Sequence, residues 1–94
     1  MNELPPGFEC DAPAEGCYSP SEQYSIILPR AEYKYDAQRG WLCIGGPGVD
    51  GIEFGILRGR KGVFAYYPIR GDYVLKAASA TELFRRWVSG EINV

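Results

Sequence analysis

The chain has 94 residues, a net charge of −2, and 46% hydrophobic and 14% aromatic residues. That is the make-up of one small globular domain, which buries only about 60–65% of its unfolded surface. So balanced a charge, with a pI near 5.0, offers no basic surface for phosphates and excludes nucleic acid as a partner. The complete lack of histidine removes Ser-His and Cys-His nucleophilic catalysis and the commonest zinc ligand, and three cysteines are too few for an all-thiolate zinc site.

No enzyme, metal or cofactor is therefore expected. There is no run of eighteen apolar residues, and Met1-Asn-Glu-Leu-Pro-Pro6 lacks the basic and apolar segments of a signal peptide, so a cytoplasmic protein with no membrane partner is expected. Cysteine usage agrees: Cys10, Cys17 and Cys43 are odd in number, and Cys43 lies between Leu42 and Ile44 as a small buried hydrophobe would. Cys10 and Cys17 could bridge or stay reduced, and a reducing cytosol favours the second.

Residues 1–23 hold Pro5, Pro6, Pro13 and Pro20 without helical or strand periodicity, and read as an irregular arm tacked down by Leu4, Phe8 and Tyr18, with its first residues mobile. Residues 24–94 form the domain. Residues 24–28 are strand-like up to Pro29, and residues 31–35 and 41–44 pair as a hairpin about the turn Asp36-Ala-Gln-Arg-Gly40. The glycine-rich stretch 45–51 is followed by a strand rather than a helix, so it is a turn and not a phosphate cradle.

In residues 52–57 a period of two puts Ile52, Phe54 and Ile56 on one face and Glu53, Gly55 and Leu57 on the other. Residues 63–67 continue an antiparallel meander. Residues 73–77 carry apolar side chains at both parities, the pattern of an internal strand. Ser79-Ala-Thr-Glu82 is a capping box, Ala80, Leu83, Phe84, Trp87 and Val88 make one stripe, and Gly90 ends the helix expected near residues 79–89. Burying Leu83, Phe84 and Trp87 contributes about 1.5–3 kcal/mol each. The expected fold is α+β, a largely antiparallel sheet of about five strands with one C-terminal helix packed on it.

Candidate site residues come from exposed charge and from tyrosine. Asp50, Glu53 and Asp72 are carboxylates with no fixed separation, and Arg70-Gly-Asp72 is a turn. Arg58, Arg60 and Lys61 crowd one hairpin tip, either as solvating charge or as a seat for an acidic partner. Tyr66, Tyr67 and Tyr73 suit strands and interfaces alike.

The segments Trp41-Leu-Cys-Ile-Gly-Gly-Pro-Gly-Val-Asp-Gly-Ile-Glu-Phe-Gly-Ile56, Val63-Phe-Ala-Tyr-Tyr-Pro68 and Ala78-Ser-Ala-Thr-Glu-Leu-Phe-Arg-Arg-Trp87 resemble the SUKH superfamily. Its members include fungal cell-wall-assembly regulators and bacterial immunity proteins that neutralise toxins. The likeness covers about half of the chain, and the family's N-terminal helical signatures have no counterpart in residues 1–23. It implies a mixed sheet with flanking helices and a protein-binding role. The expected function is a small non-catalytic binding module, an immunity protein that occludes a toxin's active site, or one that binds a regulator. The partner-binding residues are taken as Asp50, Glu53, Arg58, Arg60, Tyr66 and Tyr67. Two alternatives stand beside it: a small-molecule-binding or regulatory domain with a pocket near residues 45–53, and a homo-oligomeric structural subunit.

Overall fold

Short extended segments separated by glycine-bearing turns build most of the molecule. The computed structural model describes residues 4–20, 23–48 and 50–92. Its strands are β1 (Cys17–Ser19), β2 (Tyr24–Ile27), β3 (Lys34–Asp36), β4 (Trp41–Gly45), β5 (Glu53–Leu57), β6 (Val63–Tyr67) and β7 (Asp72–Ala77), followed by helix α1 (Ala80–Val88). All join one antiparallel sheet in the order β1-β2-β4-β5-β6-β7, with β3 also paired to β4. The class is α+β as expected, with seven strands among the described residues where about five were expected.

β2 and β3 lie one after the other along the same edge of β4. Ile27 faces Gly45, while Lys34, Tyr35 and Asp36 face Cys43, Leu42 and Trp41. Between them Pro29, which has no N–H to give a ladder, leads into a 3-10 turn, Arg30–Glu32. The expected hairpin of residues 31–35 with 41–44 is thus present, shortened at its start. A further strand, β1, falls inside the stretch read as an irregular arm; three residues are too few to display a period. β7 corrects a second expectation: it closes one end of the sheet and is an edge strand, not an internal one.

The main core lies between one sheet face and α1. Ile26, Ile27, Leu42, Ile44, Phe54, Ile56, Val63 and Ala65 meet Leu83 and Ala80 there, and Trp87 packs edge-on against Phe54 with ring centroids 5.8 Å apart. Ser79 starts the helix by accepting the Glu82 N–H at 3.1 Å. Gly90, at φ +81°, ends it, with its own N–H bonded to the Trp87 carbonyl and that of Glu91 to the Arg86 carbonyl, a Schellman stop.

Residues 4–16 carry neither strand nor helix, yet they are tied into this core. Phe8 and Ala12 are buried. Arg30 Nη2 donates to the Ala12 carbonyl at 2.7 Å, and Asp11 Oδ1 accepts from the Ala80 and Thr81 amides at 2.8 and 3.2 Å. Of the first few residues, expected to be mobile, 1–3 lie outside the described residues, and Leu4 packs against the core. No helix among the described residues is long and apolar enough to cross a membrane.

Candidate functional site: the helix-free face of the sheet

The sheet face turned away from α1 is built from alternate residues. Trp41 and Cys43 come from β4, Glu53, Gly55 and Leu57 from β5, Phe64 and Tyr66 from β6, and Tyr73 from β7. Trp41, Cys43 and Phe64 form a second buried cluster, with Leu57, Tyr66 and Tyr73 packed against it. Trp41 is 0% exposed although α1 packs on the opposite face of the sheet; the side chains of Leu57, Tyr66 and Tyr73 pack against its cluster.

The turn before β4 supplies the lid. Asp36 Oδ1 accepts the Gln38 and Arg39 amides at 3.0 and 3.2 Å, and Oδ2 lies 3.1 Å from Arg39 Nε. One carboxylate therefore shapes the turn and aims the guanidinium it brings back. The guanidinium carbon sits 4.7 Å from the Tyr66 ring centroid and 5.9 Å from that of Tyr73, a cation–π arrangement. The two tyrosine rings stand 4.7 Å apart, and Tyr73 meets Trp41 edge-on at 5.0 Å.

Beneath them the Trp41 indole N–H donates to Glu53 Oε1 at 2.7 Å, and Arg39 Nη2 approaches the same oxygen at 3.6 Å. A buried indole N–H thus meets a charged acceptor that a cation balances. Burial pushes the Cys43 thiol above its ordinary value, with the Glu53 carboxylate adding to the rise, and its S–H donates to the Gly45 carbonyl at 3.5 Å. Burial likewise raises the Tyr73 hydroxyl, against the pull of Arg39. Both carboxylates here, Asp36 and Glu53, are engaged by Arg39, an arrangement suited to a fixed surface with balanced charge.

The residues expected to bind a partner divide between the two faces. Glu53 and Tyr66 are register neighbours on the helix-free face, and Arg60 reaches that face with its guanidinium carbon 5.5 Å from the Phe64 ring centroid. Arg58 turns the other way, 5.8 Å from the Phe8 ring and 5.7 Å from the Tyr35 ring on the helix side. Tyr67 also faces the helix side, packed against the main core with Arg70 4.8 Å from its ring. Asp50 sits in the β4–β5 connection at φ +56°. Of the three cations crowding the hairpin tip, Arg58 and Arg60 thus serve opposite faces.

Arg39 and Trp41 were not among the expected site residues. The available signal was the lone carboxylate Glu53 in an otherwise apolar strand, which asks for a donor across the ladder. A recess of about 170 Å³ opens beside this cluster, lined by Lys34, Asp36, Arg39 and Glu53 among others. A larger open cleft of about 750 Å³ lies elsewhere, between the arm, the β5–β6 turn and the start of α1. Among the described residues no group of three or more Cys, Asp or Glu side chains is placed to hold a metal ion. Comparison of the chain with protein-family models, curated proteins and solved structures finds no match.

Proposed function

We propose that the chain is a non-catalytic protein-binding module that meets its partner with the helix-free face of its sheet. The observation that carries this reading is the composition of that face: two tyrosines, an arginine stacked on them and a second arginine over Phe64, with no covering helix among the described residues. Tyrosine, tryptophan and arginine are the residues enriched at interface centres. The face is also set before a partner arrives, because the Asp36–Arg39–Glu53 chain holds the rings in place, which lowers the ordering cost of association.

The resemblance to SUKH immunity proteins supports the same reading and gives it a mechanism: stoichiometric cover of a toxin's active site, with no turnover. Under it the Tyr66 and Tyr73 rings, with Arg39 stacked on them, lie against the partner's surface while Arg60 meets acidic groups at the rim. The small-molecule alternative is less favoured. The recess beside Glu53 is smaller than the roughly 300–1,000 Å³ of ordinary ligand pockets, and the larger cleft is not near residues 45–53.

The test compares two charge reversals against a protein captured with the wild-type chain. Arg60→Glu slows association, most at low salt, because rim charges act by steering. Arg58→Glu, on the other face, leaves the association rate unchanged. Equal slowing by both would overturn the choice of face.

A further inference from the structure

β7 has the sequence of an inner strand and the position of an outer one. Asp72–Ala77 is the longest strand among the described residues, and only β6 pairs with it. Val74, on the helix side, is 37% exposed, and Leu75, on the other side, is 58% exposed. Proteins usually blunt such an edge with shortness, proline, a bulge or a central charge. The opposite edge is blunted: β1 has three residues, its register breaks between Cys17 and Tyr18, and Pro20 follows. In β7 the register break falls at its far end, leaving residues 72–75 in continuous pairing with β6, and the charges flank the apolar centre instead of interrupting it.

We propose that β7 pairs antiparallel with β7 of a second copy of this chain about a two-fold axis at Val74, joining two sheets edge to edge. The pattern acid, apolar, apolar, apolar, base in Asp72-Tyr-Val-Leu-Lys76 is its own complement in that register. Asp72 faces the partner's Lys76 at both ends, Tyr73 faces the partner's Leu75, and Val74 faces the partner's Val74. Opposite charges and aromatic–aliphatic pairs are the favourable cross-strand combinations. A two-fold axis perpendicular to a continuous sheet keeps each side chain on its own face, so the register can slip only by two residues. One such slip sets Arg70 against the partner's Lys76, and the other leaves Asp72 and Lys76 without opposite charges.

The ion pair of Asp72 with Arg70, 3.5 Å and exposed on both sides, is of the weak surface kind and gives way readily, and Lys76, whose ammonium lies 5.6 Å from the Tyr67 ring, adds the partner's carboxylate to contacts it already makes. The inference goes beyond the binding face above and does not depend on it. A single edge-to-edge ladder buries less than a standard interface of roughly 1,600 Å², so the dimer is reversible and dilutes to monomers.

Sedimentation velocity of the full chain over a concentration series up to about 1 mM, a range that detects even weak association, reads the proposal. The wild type shifts from monomer to dimer with rising concentration. Val74→Lys sets two ammonium groups against each other at the axis and raises the midpoint concentration about tenfold or more. Asp72→Lys and Lys76→Asp each weaken the dimer, and the double exchange restores it, a result that keeps its meaning if Val74→Lys fails to fold. A wild type monomeric throughout, a dimer indifferent to Val74→Lys, or a double exchange without recovery each overturns the proposal.

Discussion

The Trp41 indole lies directly on the backbone of Gly55 across the β4–β5 ladder. A Cβ at Gly55 would stand 2.6 Å from Trp41 Cζ2 and 2.7 Å from Cη2, closer than carbon atoms pack. Glycine is required at residue 55 by that approach and by the Leu42 carbonyl oxygen, 2.5 Å from the same Cβ, since its φ is not in the left-handed region.

Gly55→Ala therefore lifts the indole, breaks its bond to Glu53 and disturbs the tyrosines above it. The expected cost is about 1–3 kcal/mol, read as a lower denaturation midpoint together with a red-shifted tryptophan emission. Unchanged stability and emission would mean that the ring is not seated there.

The arm gives a second prediction. Phe8 is buried against Tyr35, with ring centroids 5.5 Å apart, beneath the Arg58 guanidinium. Phe8→Ala is expected to cost about 3–5 kcal/mol, as for other buried phenylalanines, a large share of a margin of roughly 5–10 kcal/mol. Thermal unfolding checks it, and an unaltered midpoint would release residues 4–12 from the core.

Asp11 adds a pH dependence to the same arm. Burial pushes its carboxyl up, but hydrogen bonds from the Thr81 side chain and the Thr81 and Ala80 amides outweigh it and hold the group below its ordinary 3.8. The native state thus favours the charged form, and the contribution is complete above that ordinary value and fades as pH falls through the lower native one. Asp11→Ala is expected to lose about 1 kcal/mol at pH 7, typical of a helix cap and modest because the carboxylate is largely exposed. The gap between wild type and variant narrows below pH 3.8; a constant gap would deny the ionic contribution.

Cys43 supplies a fourth. It is buried and its thiol is raised, so at pH 8 it carries little thiolate and reacts with a maleimide only when the chain opens. Mass mapping after a short pulse should find Cys43 unlabelled in native protein and labelled in denaturant. Rapid native labelling would place it at the surface.

Local rules carried the meander and the helix. Alternation from Ile52 to Leu57 sorts Phe54 and Ile56 to the core and Glu53 and Leu57 to the other face, as observed, and Ser79 and Gly90 bracket α1. What escaped was set by distant contacts. The apolar run of β4 has no period, so nothing local assigns Trp41 to a face. Arg39 sits in a turn, where no pattern applies, and its role depends on Tyr66 and Tyr73 arriving from strands more than twenty-five residues later. Arg58 and Arg60 share a parity, but the strand ends at Leu57 and Gly59 turns at φ +72°, so alternation fails between them. Apolar residues at both parities of β7 argue for two covered faces and two flanking strands, and the described residues supply one flanking strand.

Tyr66 and Tyr67 are neighbours in sequence and opposite in space, and this makes them the most direct probe of the binding face. Titration calorimetry of a partner captured with the wild-type chain, run against Tyr66→Ala and Tyr67→Ala with folding verified for each, compares the two sides of one strand. The account predicts that Tyr66→Ala weakens binding about thirtyfold or more, as loss of a central aromatic anchor does, while Tyr67→Ala binds as the wild type. Full affinity in Tyr66→Ala with loss in Tyr67→Ala would contradict it and place the contact surface on the helix side.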